Sequence, residues 1–384
     1  MGYDKSGNKG IYLHIPFCKS RCHYCDFNTY SDKNILIEPY IEALKKEIDI
    51  YGRSGKLKGA DTIFFGGGTP SSIDSIYIEE ILEKIYEYTD RDCFKEITLE
   101  ANPGTVDELM LNVYKRAGIG RISMGVQSFN DKILKDIGRI HDSETVIRNI
   151  EMIKKYIDNI SIDIIFGLPN QTADDIEKSL TKAAESGVSH ISFYALKVED
   201  GTEFARREEK GLLNLPSEDE EREMYHIGKK ILEERGFFQY EISNFAKKGF
   251  ESKHNLVYWN VRPYIGMGLS AASNIDGKRY SDVSDFETYF RIIESGRLPI
   301  DEDTVEVIER EEEISEYCIL RLRLNDGIVK SEFQERYGED INDIYGEVIE
   351  KHLKDGLLEE NEEKICLSDR GFDLANQVYV DFLI

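Results

Sequence analysis

The sequence predicts an α/β protein whose main domain is a partial (β/α)6 TIM-like barrel, followed by a small winged-helix-like α+β domain at the C-terminus. Three observations predict this architecture. Apolar, β-branched runs alternate six times with amphipathic stretches, the runs are spaced as successive βα units are, and the unusual residues of the chain follow the runs directly. At 384 residues the chain is also longer than one hydrophobic core usually extends, which favours a second, smaller domain.

Six strands are expected from the apolar runs. They begin near Ile11, Ala60, Glu96, Arg121, Asn159 and His190. Successive starts lie 49, 36, 25, 38 and 31 residues apart, which leaves room for a helical crossover in each interval. Amphipathic stretches occur at 38–51, 76–88, 106–117 and 172–186, and Asp74 and Thr172 stand where N-caps are expected. We therefore expect a parallel sheet covered by helices.

Polar and glycine-rich segments come at the ends of these strands, where a barrel of this type carries its chemistry. Three cysteines follow strand 1, FFGGGTP (64–70) follows strand 2 and LEANP (99–103) ends strand 3. GVQSF (125–129) ends strand 4, Asp163 precedes FGLP (166–169) on strand 5, and FYALKVE (193–199) ends strand 6. Because the carboxyl ends of parallel strands meet at one rim, we expect these segments to surround a single site.

The rest of the chain is expected to form two further parts. A helix at 218–234 leads to QYEISNFA and then to KHNLVYWNVRPYIGMGLSAAS. The ending DGLLEENEEKICLSDRGFDLANQV has the rhythm of helix, short hairpin and helix that is typical of a winged-helix unit. We predict a barrel at 1–240, a connecting segment with HNLVYW at 241–300 and an acidic winged-helix-like domain at 301–384.

Charge is unevenly distributed along the chain. The formal net charge is −25, and residues 301–384 contain 25 Asp and Glu against nine Lys and Arg. A surface of this sign repels phosphate backbones, so we expect no nucleic-acid partner and disfavour an RNA-modifying function.

The cellular compartment is predicted from two absences. The N-terminal sequence has no apolar leader segment, and no run of about 18 apolar residues occurs that could cross a membrane. We therefore expect a soluble cytoplasmic protein, in which cysteines stay reduced and a tight cysteine cluster indicates a metal site. Cys93, Cys318 and Cys366 have no partners at metal spacing and are expected to be ordinary buried residues.

The tight cluster is HIPFCKSRCHYCDF (14–27), in which Cys18, Cys22 and Cys25 form a CxxxCxxC pattern. A zinc site is one interpretation, with His14 or His23 completing a Cys3His set. The other is a cubane iron–sulfur cluster, in which three protein thiolates leave one iron open to another ligand. The spacing alone favours the cluster and leaves both interpretations open.

The CxxxCxxC pattern after the first strand, with an aromatic residue before the third cysteine, resembles the radical S-adenosylmethionine (SAM) superfamily. The resemblance implies a [4Fe-4S] cluster on the three cysteines. It also implies SAM chelated to the open iron through its amino and carboxylate groups. Electron transfer from the cluster would then cleave the sulfonium C–S bond and give a 5′-deoxyadenosyl radical, chemistry that belongs to the cofactor.

Longer motifs narrow the resemblance. YLHIPFC, GGGTPS, EANP, RISMGVQSF, IDIIFGLP and HNLVYW, in this order, are similar to the coproporphyrinogen III oxidase-like family over residues 11–380. By these motifs, the resemblance implies SAM contacts at Tyr12, Gly67, Glu100 and Ala195. It further implies cofactor-binding positions at Tyr24, Gly68, Thr69, Gln127, Arg139 and Asp163.

Two departures from the oxidase point to another branch of the family. The oxidase has a fourth cysteine two places after the third, where this chain has Phe27, and its N-terminal segment is longer. HNLVYW (254–259) is instead similar to the HNxxYW signature of the HemW-type heme chaperones. Those proteins bind heme and pass it to apo-hemoproteins, notably respiratory ones.

The HemW resemblance implies a heme site at His254, Asn255, Tyr258 and Trp259. His254 offers an imidazole to iron, while the aromatic rings offer flat area to the macrocycle. A hydrogen-bonded structural histidine and a core tryptophan are the plainer interpretation of the same residues. The alternative function is oxygen-independent coproporphyrinogen III oxidation, a radical decarboxylation. We also expect an electron donor such as a flavodoxin or ferredoxin and a possible dimer, and we assign no catalytic residue.

Overall fold

The computed structural model describes residues 9–383. The first eight residues, where the sequence predicts the start of the barrel domain and no leader segment, lie outside the described residues. Six parallel strands form the wall of an open barrel, and each of the six predicted starts is matched within two residues. The strands are β1 Lys9–Ile15, β2 Ala60–Gly67, β3 Glu96–Ala101, β4 Arg121–Gln127, β5 Asn159–Phe166 and β6 His190–Ala195.

Helices cover the outside of this wall. They are α1 Ile37–Arg53, α2 Ser75–Tyr86, α3 Glu108–Ala117, α4 Asp131–Asp136, α5 Ser143–Ile153, α6 Ala173–Glu185, α7 Glu203–Glu209 and α8 Glu218–Glu234. The two predicted N-caps are present, since Asp74 accepts a hydrogen bond from the Ile76 amide and Thr172 forms a capping box with Asp175.

Strand residues alternate between the outer core and the barrel interior. On β3 the apolar Ile97 and Leu99 pack in the main hydrophobic core with the helices. Glu96, Thr98 and Glu100 alternate with them, so their side chains are on the opposite face, inside the barrel. The interior is therefore polar along this strand, which is suited to a polar ligand rather than to a dry core.

Strands from the second part of the chain extend the sheet at both edges. They and two helices are β7 Phe238–Glu241, β8 Asn244–Ala246, α9 Lys253–Trp259, β9 Tyr264–Met267, β10 Ala272–Ile275, β11 Lys278–Ser281, α10 Phe286–Glu294 and β12 Glu306–Val307. The complete order is β12-β11-β10-β9-β1-β2-β3-β4-β5-β6-β8-β7, with β9 parallel to β1 and β8 antiparallel to β6. Four strands of the segment 241–300, β8 to β11, thus belong to the barrel sheet, and the proposed division at 240 and 300 stays a proposal.

Helix α9, which carries HNLVYW, lies at the amino-terminal end of the barrel. The amides of Lys253 and His254 both donate to the carboxylate of Glu96, the first residue of β3, at 3.1 Å. This end of the barrel is therefore closed by α9, and the opposite end, with the carboxyl ends of the strands, is left for the rim loops.

The C-terminal domain has the predicted winged-helix rhythm. It comprises α11 Arg310–Leu322, β13 Ile328–Val329, α12 Lys330–Tyr337, α13 Ile341–Lys354, β14 Leu358–Glu360, β15 Lys364–Leu367, α14 Asp369–Asp373 and α15 Ala375–Asp381. A small antiparallel sheet, in the order β13-β15-β14, and a separate hydrophobic core hold it together. Across residues 9–383, no helix is long and apolar enough to cross a membrane.

Candidate functional site

The three cysteines lie in the loop between β1 and α1, at the open end of the barrel. All three are free thiols that line one cavity of about 340 Å³. The Thr69 hydroxyl lies 3.5 Å from the Cys18 sulfur, and Arg139 donates to the Cys22 sulfur at 3.3 Å. Burial raises the pKa of the Cys18 thiol, and the Thr69 hydroxyl opposes this only in part.

Of the two histidines that could complete a zinc site, His14 has both ring nitrogens engaged in hydrogen bonds and His23 has one. The His14 ring nitrogens bond to the Tyr12 hydroxyl and the Asn28 carbonyl, at 3.1 and 3.0 Å. The His23 ring bonds to the Asp136 carbonyl at 2.9 Å. Among the described residues, no three His, Cys, Asp or Glu side chains converge on a single metal-ion position. The separate iron corners of a cube do not require that convergence, so the loop fits a cluster better than zinc.

The glycine segment after β2 packs closely against the cysteine loop. A Cβ on Gly68 would lie 2.7 Å from the Ile15 carbonyl oxygen and 2.9 Å from the Phe17 amide nitrogen. The amides of Gly68 and Thr69 donate to the carbonyls of Ile15 and Phe17, at 2.9 Å each. Gly68 therefore allows two backbones to meet, and this contact fixes the position of the loop that carries the cysteines.

Two carboxylic acids lie deep in the cavity. Burial, with a smaller contribution from the neighbouring Asp163, raises the pKa of Glu100 to about 8. Burial also raises the pKa of Asp163, although its hydrogen bond to Ser192 opposes this. A cavity with two such acids favours a cationic ligand, because a positive charge would stabilise their ionised forms.

Gln127 occupies a strained position at the cavity. Its φ is 70°, in the left-handed region, and the pairing of β4 with β5 shifts register between Gly125 and Gln127. The Tyr194 hydroxyl donates to its side-chain oxygen at 3.4 Å. Left-handed backbone at a non-glycine residue has a conformational cost, and such positions cluster at functional sites.

Most of the predicted cofactor residues surround this cavity. The lining includes Tyr24, Gly67, Gly68, Thr69, Glu100, Gln127, Arg139 and Asp163 together with the three cysteines. Tyr12 stands behind the lining, near Gly66 and Glu100, and Ala195 ends β6 close to Tyr194. The lining also contains Asn102 and Tyr194 from two of the predicted rim segments, and it contains four residues that the sequence did not single out, namely Ser123, Ser192, Ser243 and Asn244. Phe27, at the mouth, is 60% exposed.

The predicted heme residues lie at the other end of the barrel. The two His254 ring nitrogens bond to the Thr62 hydroxyl at 2.9 Å and the Tyr258 hydroxyl at 2.8 Å. Its imidazole is buried and stacks on Phe64, with ring centroids 5.2 Å apart. Burial, assisted by Arg121, lowers the pKa of His254 to about 3. The imidazole is therefore neutral at physiological pH, the form that can bind iron, but both nitrogens are occupied.

The other motif residues have different surroundings. The backbone amide of Asn255 donates to the hydroxyl of Ser252, the N-cap of α9, at 3.3 Å. Trp259 faces the C-terminal domain, where the Arg323 guanidinium carbon lies 4.7 Å from its ring centroid. Of the three remaining cysteines, Cys318 is buried and Cys366 half-buried. The expectation for Cys93 is wrong, since it ends the short exposed turn before β3.

Comparison with known proteins places these features in a family context. Residues 12–183 match the family model described as Radical SAM superfamily, and residues 308–374 match the HemN C-terminal domain. Heme chaperone HemW of Lactococcus lactis is 37% identical over 374 residues, with 97% of each chain covered. Heme chaperone HemW of Bacillus subtilis is 39% identical over 382 residues, with 98% of this chain and 99% of the relative covered.

One solved structure shares the fold over nearly the whole chain. Coproporphyrinogen III oxidase (HemN) from Escherichia coli, a radical SAM enzyme, superposes with a TM-score of 0.85 over 99% of this chain and 91% of that chain. The two sequences are 21% identical, so the likeness shows a common fold and leaves the activity to be argued from other observations.

Proposed function

Because the chain belongs to the HemW family of heme chaperones within the radical SAM superfamily, we propose that it binds heme and transfers it to apo-hemoproteins. The observation that carries the proposal is similarity to these chaperones over nearly the full length of both chains. The family predicted from the motifs is thereby confirmed.

The open end of the barrel would hold the cluster and its cofactor. In this proposal Cys18, Cys22 and Cys25 ligate a [4Fe-4S] cluster, which supplies an electron for reductive cleavage of SAM when bound. Glu100 and Asp163 would balance the positive charge of the cofactor, and a cofactor that filled the cavity would displace the water that weakens this interaction.

The closed end of the barrel would take part in heme binding. His254 is neutral and carried by the HNLVYW helix, but its imidazole has to leave Thr62 or Tyr258 before a nitrogen can bind iron. Direct ligation therefore requires either rotation of the Tyr258 side chain, which lies on the same helix, or movement of α9 away from Thr62. We further propose a cytoplasmic location, with a flavodoxin or ferredoxin as electron donor and a dimer as the functional form.

Anaerobic reconstitution followed by heme titration tests the function. We expect separate cluster and heme absorption bands, and transfer of bound heme to an added apo-cytochrome. His254→Ala should weaken heme binding, whereas His226→Ala, on the exposed face of α8, should not. If the protein converts coproporphyrinogen III to protoporphyrinogen and binds no heme, the oxidase alternative is correct and the chaperone proposal is wrong.

A further inference from the structure

Three arginines of the C-terminal domain converge on the end of α9. Arg321 donates to the side-chain oxygen of Asn260, which directly follows the helix. Arg336 donates to the backbone carbonyls of Asn260 and Val261, at 3.1 and 2.8 Å. Arg323 lies over the Trp259 ring at 4.7 Å. The HNLVYW helix thus has one face in the barrel and its C-terminal end against a cationic surface.

This cationic surface is unusual for its surroundings. Residues 301–384 contain only nine Lys and Arg against 25 Asp and Glu, yet three of those nine meet at one helix end. Arg336 is held by Glu313 at 2.8 Å, whereas the nearest carboxylate of Arg321 is that of Glu332, 3.9 Å away. The charge of Arg323 is opposed by the carboxylate of Glu241 on β7, so the positive charge that the acidic domain itself leaves poorly balanced is mainly that of Arg321.

The seam between the two domains also contains buried polar atoms that lack hydrogen-bond partners within the described part of the chain. They include Nε of Arg323, Nε1 of Trp259, the Tyr379 hydroxyl and one carboxylate oxygen of Glu241. A buried polar atom without a partner is destabilising, so natural interfaces rarely keep several together. This seam is accordingly less complementary than a permanent interface, and it contains groups that can bind a polar ligand.

We propose that this seam is the binding site for the carboxylates of a tetrapyrrole. Arg321 and Arg323 would take the two heme propionates, and the face of Trp259 would receive the macrocycle. The inference rests on the proposed heme-binding function and adds the location and the residues.

The chemistry of each partner fits the ligand. A guanidinium forms paired, charge-assisted hydrogen bonds to a carboxylate, and an indole ring offers a flat apolar face. Arg323 now occupies that face of Trp259 by a cation–π contact. A porphyrin ring placed there would displace the guanidinium and leave it free to bind a propionate. The groups that join the two domains without heme would therefore be the groups that bind heme. Arg336, which Glu313 and two carbonyls hold, would keep the domains connected.

Heme and its dimethyl ester provide a test that needs no substitution. The ester has the same iron and macrocycle but no carboxylates, so we expect the unaltered, reconstituted protein to bind heme at least about tenfold more tightly than the ester. Arg323→Gln should remove most of this preference, while affinity for the ester, which no longer has to displace the guanidinium from Trp259, should not fall. Arg370→Gln, which removes an exposed arginine elsewhere in the same domain, is the matched control and should keep the preference.

The outcomes separate this inference from the proposed function. Equal binding of heme and ester by the unaltered protein overturns the carboxylate site but leaves heme binding intact. A preference that survives in both Arg323→Gln and Arg321→Gln likewise overturns it. Thermal unfolding followed by circular dichroism shows whether the Arg321→Gln variant, which loses a buried side chain, still folds. If it does not fold, the comparison of heme with its ester in the unaltered protein and in Arg323→Gln decides the question. Failure to bind either ligand overturns the function and this inference together.

Discussion

The buried acid Glu100 predicts that SAM binding depends on pH. With a pKa of about 8, Glu100 is protonated in most molecules at neutral pH. A cofactor with a positive sulfonium favours the ionised form, so only the ionised fraction is competent to bind tightly. From this pKa the ionised fraction is about one in eleven at pH 7, one in two at pH 8 and nine in ten at pH 9. We therefore expect the Kd of SAM to fall about tenfold between pH 7 and pH 9.

Equilibrium dialysis of radiolabelled SAM at constant ionic strength measures this effect on anaerobically reconstituted protein. The amino group of the free cofactor titrates near the same pH, so the wild-type slope alone is not sufficient. Glu100→Gln is the control, because the amide keeps the shape and cannot ionise. The pH dependence contributed by Glu100 is the difference between the two profiles. Equal slopes in wild type and Glu100→Gln would refute the assignment of this acid to the cofactor.

Three further outcomes are expected. Cys22→Ala should abolish the cluster absorption and leave the circular dichroism unchanged, whereas Cys93→Ala should keep both; retention of the cluster in Cys22→Ala would contradict the loop assignment. His254→Ala leaves two buried hydroxyls without their partner, so it should lower the free energy of unfolding by about 2–4 kcal/mol. Urea denaturation measures this change, and a loss below about 0.5 kcal/mol would contradict the expectation. Burial raises the pKa of Glu47 and of its hydrogen-bonded neighbour Asp282, so the folded state holds protons on this pair more tightly than the unfolded state does, and stability should fall as pH rises from 5 to 8. Replacing both acids, by Glu47→Gln with Asp282→Asn, should flatten the dependence of Tm on pH, and an unchanged slope would show that another group causes it.

The barrel wall could be predicted because each wall strand carries an apolar face of its own. On β2 and β3, Ile63, Phe65, Ile97 and Leu99 are all buried against helices, and their alternation is visible in the sequence. The strands β9 to β12 have only two to four residues each. Their formation depends on pairing with β1 and with one another, which local patterns do not show.

The cavity residues likewise divide into those that the sequence predicts and those that depend on pairing between distant segments. Residues directly after the parallel strands were predictable, because those strand ends meet at one rim. Asn244 reaches the cavity from β8, which pairs antiparallel with β6 out of chain order, so sequence position gave no indication. Likewise, HNLVYW was recognisable as a motif, but only the contacts of Glu96 with Lys253 and His254 reveal which end of the barrel it closes.

The hairpin of β7 and β8 joins regions that the chain keeps far apart. Tyr240 and Ile242 exchange backbone hydrogen bonds with Asn325 and Arg323, at 3.1 and 3.2 Å, while Asn244, two residues further on, lines the cavity. The winged-helix-like domain is therefore not a detachable module. A shortened chain that ended before Arg310 would lose the outer support of this hairpin, so attempts to isolate a minimal barrel should retain the last 75 residues.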